Sequence, residues 1–409
     1  MTMSTRPVHT TLAHAVSMTP AGLSRGPLSI EDGRLASGSV PRAFTMDLRG
    51  HMVFPGLINA HEHLHVNAVP PLLTGAPFPN SYAWIEAFQE HFRAPEVVAS
   101  LQQPKSLRMR HGALKNLLAG TTCVVHHDPW HRALDAEDFP VALLRDFGWS
   151  YALGGPAFGP SVRDSFRATP PERPWIIHLA EGTDADAAAE LSALDAMGCL
   201  AANSVLVHGV GMNDDDISRV IARSATVVWC PGSNRALLGR SLDPRPLAEA
   251  GRLALGSDSR LSGERDLLEE MRGVLSRGEL DAAGLLRLAT SDASRLLKLH
   301  DHGNLSAGQP ADLLVVEDRG LGAGNLAGIS RHEIRAVVRN GVPRIADTDF
   351  ATWFEAAGVD TVPVTLDGRA KLLDERLATP ALIAMEPGLE FHRTPRGHHR
   401  DTHIAVGVH

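Results

Sequence analysis

The chain has 409 residues, 44% hydrophobic and 21% charged, with a formal net charge of −8. That length can bury a sizeable core, and the composition excludes collagen-like, wholly disordered and disulfide-scaffold proteins. There are 35 arginines but four lysines (Lys105, Lys115, Lys298, Lys371), and the arginines are scattered among acids. Nucleic acid is therefore not an expected partner. No run of 18 apolar residues signals a membrane span, and the N-terminus lacks the apolar centre of a secretory signal. Cys123, Cys199 and Cys230 are too few for a disulfide framework, so the expected compartment is the cytoplasm.

The first 50 residues read as short strands. Residues 27–36 form an expected hairpin about Asp32-Gly33, because a tight turn needs positive φ. Residues 43–50 alternate like another strand, and 51–61 reads as a single strand ending in histidine. From there to 299, strand-like and helix-like runs alternate. Residues 107–120 form an amphipathic helix, 121–128 a buried strand ending in histidines, and 184–198 and 265–275 helices. Strand-like runs lie at WSYALGG, WIIHLAE, SVLVHGV, TVVWCP and LALGSD. Further on, 311–318 reads as a strand and 334–347 as a hairpin about Asn340-Gly341.

Repeated β-then-α over about 250 residues matches the size of a (β/α)8 TIM barrel. The expected fold is thus α/β: a distorted barrel over 53–299, a small β-sandwich-like domain from 1–52 and 300–346, and a C-terminal extension, 347–409. Only about 20 residues separate residues 153–158 from 175–181, so one β/α element is expected to be shortened.

Histidine is abundant, with 21 residues, and it clusters at strand ends. Side chains two apart on a strand share a face, so His61 and His63 can reach one metal while Glu62 points elsewhere. Further strand ends carry His178 with Glu181, then His208, then Asp258. Neutral imidazoles with a carboxylate suit one divalent ion, Zn2+ in the first place and Fe2+ in the second. A carboxyl beside such an ion can deliver a proton to a leaving nitrogen.

In their order, PGLINAHEH, HLAE, LVHG, WCPGSNRALLG and LGSDS resemble the amidohydrolase superfamily, in its mononuclear cytosine-deaminase-like and chlorohydrolase-like branch. The resemblance covers roughly residues 25–345. It implies His61, His63, His178 and Asp258 as metal ligands. It implies Asp258, Glu181 and His208 as catalytic groups, with Glu181 shuttling protons to substrate and His208 polarising it or helping to activate water. Binuclear members bridge two metals with a carboxylated lysine; no lysine lies between Lys115 and Lys298, so one metal is favoured.

The expected reaction is hydrolysis of a non-terminal C–N bond in an amide, cyclic amide or amidine of a small molecule or modified peptide. A narrower resemblance is to tailoring amidohydrolases of bottromycin-type pathways. Deamination of an aminated heterocycle is the alternative, and a non-catalytic binding protein on the same fold is the rival. A homodimer is implied by the resemblance alone.

Other side chains have two readings. His65 is a substrate contact or a hydrogen-bonded barrel histidine. His126 and His127 point opposite ways, so at most one faces the site, as a substrate contact. Arg260 binds an anionic substrate group or makes a salt bridge. Tyr82, Trp84 and Phe88 form a lid or pack in the core. Trp130 and His131 read as a loop packing on the barrel. Cys230 reads as a buried small hydrophobe, and Asn234 as a loop-fixing side chain. The His- and Arg-rich tail, 390–409, reads as an oligomer-contacting or flexible segment.

Overall fold

The computed structural model describes residues 9–72, 74–154 and 158–392. The tail from 393 onward, where an oligomer contact was expected, lies outside them. The N-terminal region contributes β1 (Thr10–Ala13), β2 (Val16–Thr19), β3 (Gly22–Arg25), β4 (Leu28–Glu31), β5 (Arg34–Leu35), β6 (Phe44–Asp47) and β7 (His51–Pro55). The expected Asp32-Gly33 hairpin joins β4 to β5, with φ of 49° and 78° at its two turn residues. Strands β5, β4, β1 and β6 form one sheet in that order.

The run 51–61 is two strands, not one. After β7 the chain breaks at Gly56, and β8 (Leu57–Glu62) enters a different sheet. A Cβ at Gly56 would lie 2.1 Å from Thr122 Oγ1, so only glycine lets the chain cross here. This packing constraint has no local sequence signature.

Eight parallel strands follow: β8, β9 (Thr121–His126), β10 (Ala142–Leu143), β11 (Gly148–Trp149), β12 (Trp175–Leu179), β13 (Ser204–His208), β14 (Thr226–Trp229) and β15 (Leu253–Leu255). They form two sheets, β10-β9-β8 and β11-β12-β13-β14-β15. Apart from β10 and β11 these strands are buried along their whole length, which explains their continuous apolar runs. The irregularity lies just before residues 153–175, where a shortened element was expected. Strands β10 and β11 have two residues each, and they are not paired with one another. At the other edge, Asp258 N donates to His61 O at 3.1 Å and ties the end of β15 to that of β8.

Helices α1 (Ser81–His91), α2 (Pro95–Gln102) and α3 (Lys105–Leu118) lie between β8 and β9. Then come α4 (Val162–Ala168), α5 (Ala185–Ala196), α6 (Asp214–Ala222), α7 (Pro231–Leu238), α8 (Arg245–Glu249) and α9 (Leu267–Arg277). The C-terminal part adds β16 (Leu313–Glu317), β17 (Ala336–Arg339), β18 (Val342–Asp347), β19 (Thr361–Leu366), β20 (Arg369–Asp374) and β21 (Leu389–Phe391). Asn340 and Gly341 make the expected turn between β17 and β18, with φ of 49° and 74°.

These strands join β7, β2 and β3 in one nine-stranded sheet through antiparallel pairing of β16 with β7. Alternation sends Leu313, Val315 and Val53 into a core with Leu12 and Trp353. Their neighbours Leu314, Val316 and Phe54 enter the core that contains Met109 and Leu117 of α3. The two chain ends thus form a sheet sandwiched between the four-stranded sheet and the parallel strands, and β19 to β21 extend it beyond residue 346.

Candidate metal and catalytic site

The parallel strands deliver their polar residues to one end. His61 is the penultimate residue of β8, His178 lies near the end of β12, and His208 ends β13. Asp258 follows β15, and Glu181 follows β12 by two residues. Ala180, His208 and Asp258 all have positive φ, at 53°, 78° and 54°. L-residues adopt this conformation at a cost of about 1–3 kcal/mol, and such strain clusters at functional sites.

Three of the histidines are tied down through Nδ1, while His61 Nδ1 has no hydrogen-bond partner. His178 Nδ1 donates to Tyr151 O at 2.8 Å. His63 Nδ1 donates to Asp128 Oδ2 at 2.7 Å. His208 Nδ1 donates to Asn234 Oδ1 at 2.8 Å. Each bond commits Nδ1 and leaves Nε2 as the nitrogen turned toward a metal, which in His63 must first lose its proton. His178 Nε2 and His61 Nε2 are 3.2 Å apart. Asp258 Oδ1 lies 3.7 Å from His63 Nε2 and 4.0 Å from His61 Nε2. Two trios, His61/His208/Asp258 and His61/His127/His178, each bring one potential ligand atom per residue within 4.8 Å of the others. His61 and His178, with Nε2 atoms 3.2 Å apart, and Asp258, within 4.0 Å of His61 and 3.7 Å of His63, are a donor set whose chemistry fits a divalent ion.

Burial, reinforced by the neighbouring rings, holds the pKa of His61 and His178 well below the usual imidazole value, so both are neutral donors. Burial opposes charge on His63 too, but the Asp128 carboxylate outweighs it and raises His63 to about 9 in the metal-free chain. Asp258 is fixed from three sides. Its Oδ2 accepts from Ser233 Oγ and Ser262 Oγ, both at 2.7 Å, and Oδ1 accepts from Ser259 N at 2.7 Å. Burial works against its charge, yet His63, His208 and these hydroxyls hold its pKa below the ordinary carboxylate value.

Glu181 Oε1 lies 3.4 Å from His208 Nε2. Burial raises its pKa, which suits a group that must hold a proton and give it up. Glu62, as expected, faces away: it pairs with Lys115 Nζ at 2.7 Å and accepts from Asn116 and Asn67.

A cavity of about 350 Å³ opens over these groups. Glu181, His208, Asp258, His63 and His178 form its floor, and Val66, Val69, Trp84, Ile85, Phe88 and Leu261 form an apolar wall. Phe88 packs into a core with Val69 and Leu261, as the core reading of α1 expects, and it also lines the cavity. Tyr82 instead points away and donates to Glu190 at 2.6 Å. His65 lines the cavity with Nδ1 3.4 Å from Asp128 Oδ2.

Three expected substrate contacts lie off the cavity lining. His126 is 1% exposed and does not reach the cavity; its Nδ1 accepts from Leu64 N at 3.3 Å. His127 is fully buried and lies behind the floor, stacked on His178 with ring centroids 4.5 Å apart. Arg260 does not line the cavity and pairs with Glu386 at 2.9 Å, the kind of contact its salt-bridge reading describes. Asp128, Tyr151, Ser233 and Ser262 went unread in the sequence. Only Asp128, immediately after the two histidines, carried a usable signal.

Residues 172–364 match the model of the amidohydrolase family. Over those residues, just under half of the chain, it is similar to the amidohydrolase family. It is similar to a 5-methylthioadenosine/S-adenosylhomocysteine deaminase of Pelotomaculum thermopropionicum, 33% identical over 136 residues, or 31% of each chain. The corresponding Haloarcula marismortui protein is 29% identical over 137 residues, 31% of this chain and 32% of its own. The chain thus spans about a third of the length of these curated relatives. A 5'-deoxyadenosine deaminase of Methanothermobacter thermautotrophicus is 22% identical, covering 87% of this chain and 91% of its own. Among solved structures, a zinc-bound adenosine deaminase from Xanthomonas campestris superposes with a TM-score of 0.62 at 20% identity, covering 86% and 98% of the two chains. The zinc complex of an atrazine chlorohydrolase from Arthrobacter aurescens gives 0.65 at 18%, covering 85% and 100%. These likenesses establish the shared fold. Among the described residues, no helix is long and apolar enough to cross a membrane.

Proposed function

We propose that this chain is a metal-dependent hydrolase of a C–N bond in an amide, cyclic amide or amidine. The observation that carries the reading is the Glu181–His208 pair, 3.4 Å apart on a cavity floor shared with Asp258 and two histidines whose free nitrogens converge. A divalent ion held by His61, His63, His178 and Asp258, Zn2+ by analogy with the zinc-bound neighbours, would lower the pKa of a water toward neutrality and supply the nucleophile.

The protein groups divide the remaining work. Asp258 Oδ1, beside His61 and His63, takes a proton from the attacking water. His208 is oriented by Asn234 and turns Nε2 toward the reacting carbon's substituent. Glu181, with its raised pKa, delivers a proton to the leaving nitrogen. The apolar wall receives the non-reacting part of a small molecule or modified peptide, and a cavity of this size suits a compact group.

Residues 53–299 are proposed as the catalytic unit, a distorted (β/α)8 barrel whose two halves are the parallel sheets. Residues 1–52 and 300–346 are the accompanying β domain, and 347–409 its extension. Three unpaired, buried cysteines favour a cytoplasmic location, and a homodimer rests on family likeness alone.

The names of the relatives favour a second reading, deamination of an aminated heterocycle. One experiment separates the two. Protein purified without added metal is analysed for metal, then offered cyclic amides, blocked dipeptides and adenine nucleosides, with ammonia and new amine measured separately. One metal per chain with amine and no ammonia supports the proposal. Ammonia from a nucleoside selects deamination. No metal, even after reconstitution, and no turnover would leave a binding protein.

A further inference from the structure

His127 was expected at the substrate and is not there, and its surroundings suggest a different task. The ring is fully buried. Its Nε2 lies 3.1 Å from Ser150 O, so this nitrogen carries the proton and donates it. Nδ1 is then a lone-pair acceptor, and it has no hydrogen-bond partner. Folded proteins rarely leave a buried acceptor without a donor. His178 shows the same arrangement one residue further along, with its proton on Tyr151 O and its free nitrogen facing His61.

The rings of His127 and His178 are stacked at 27°, and His127 meets His61 edge to face at 5.3 Å. One nitrogen from each of the three lies within 4.8 Å of the others. With Nε2 committed to Ser150, Nδ1 is the nitrogen His127 has left to offer. His208 is a weaker competitor for such a role, because its free nitrogen already faces Glu181.

We propose that His127 is an additional metal-directed ligand, so that this chain offers a divalent ion four imidazoles, from His61, His63, His127 and His178, together with Asp258. The inference rests on the reading of this cluster as a metal site. The carbonyl of Ser150 would then act on the ion through His127, by fixing the tautomer and orienting the ring.

The test uses the full chain and Co2+ as probe. Affinity is measured by chelator competition for the wild type and His127→Gln, whose amide can still donate to Ser150 O. The variant is expected to bind Co2+ at least about tenfold more weakly. It is also expected to lose one exchangeable, strongly shifted imidazole N–H resonance, a signal carried through the metal–nitrogen bond that a packing role would not produce. The thermal midpoints of the two metal-free proteins should agree. Unchanged affinity with an unchanged set of shifted resonances would overturn the role of His127 while leaving the metal site intact. Absence of Co2+ binding by the wild type would overturn the metal-site reading itself. If His127→Gln does not fold, X-ray absorption on the Zn2+-loaded wild type decides: four imidazoles are expected, and three would sink the inference.

Discussion

Asn234 Oδ1 accepts the Nδ1 proton of His208 at 2.8 Å, and this contact determines which nitrogen His208 presents to Glu181. Asn234 is held in turn, because its Nδ2 donates to Ser241 Oγ at 3.0 Å. A leucine there would fill similar space without the acceptor, freeing His208 to take the other tautomer. On any substrate the wild type turns over, Asn234→Leu is expected to lower kcat by about 10- to 100-fold with metal content unchanged. Steady-state kinetics with elemental analysis checks it; a wild-type kcat would show that tautomer control by Asn234 is immaterial.

Asp128 stands behind His63 as Asn234 stands behind His208, but it is charged. Asp128→Asn should weaken metal affinity by about 10- to 100-fold, read by chelator competition. The metal-free chain gives a second readout. His63 is raised from an ordinary 6.5 to about 9 against the cost of burial, chiefly by this carboxylate. The folded state therefore holds a proton that the unfolded chain releases. The resulting stability is fully present below 6.5 and is lost as pH rises through about 9. In Asp128→Asn that loss should disappear from a plot of thermal midpoint against pH. An unchanged slope would mean the His63–Asp128 pair does not set it.

Glu181 is assigned the proton delivered to the leaving nitrogen, and its pKa is raised by burial. A general acid works only while protonated, so kcat should fall as pH climbs through that raised pKa. Glu181→Gln keeps the shape and removes the proton, and is expected to lose at least about 100-fold in kcat while retaining its metal. The variant's residual rate should also lack the alkaline fall. A fully active Glu181→Gln would remove this residue from the chemistry.

Much of this arrangement was legible because it is local. Asp32-Gly33 and Asn340-Gly341 announce their turns through the positive φ they tolerate, and the histidines at or next to the ends of β8, β9 and β13 follow directly from apolar runs. What escaped depends on distant partners. Nothing near Gly56 shows that Thr122 occupies the space beside it, so the break between β7 and β8 was invisible. Strands β10 and β11 have two residues each, too few to show a period of two. Adjacent histidines on a strand are expected to face opposite ways, but which one faces the cluster depends on the register of β9 with β8. The readings of Arg260 stayed undecided because its partner, Glu386, is 126 residues away along the chain.

Glu386 shows how the C-terminal segment is bound to the rest of the molecule. Its buried carboxylate accepts from His111 Nε2 of α3 at 2.8 Å, from Arg260 at 2.9 Å and from Arg331. Arg331 is itself fully buried and reaches Asp367 at 2.9 Å. Burial alone would raise the pKa of Glu386, but His111 and the two arginines hold it far below its ordinary 4.5. A carboxyl with a depressed pKa stabilises the fold above its unfolded pKa and ceases to do so as pH falls through the folded one. Glu386→Gln keeps the volume and removes the charge, leaving Arg331 short of a counter-ion. Breaking a buried pair from one side costs about 3–5 kcal/mol, and that is the expected loss at pH 7. The gap between wild type and variant should then narrow progressively below pH 4.5, as the wild type gains the proton its native state resists. Denaturant unfolding at several pH values measures both quantities. A variant as stable as the wild type at pH 7, or a gap that does not shrink in acid, would show that the Glu386 charge does not anchor the segment.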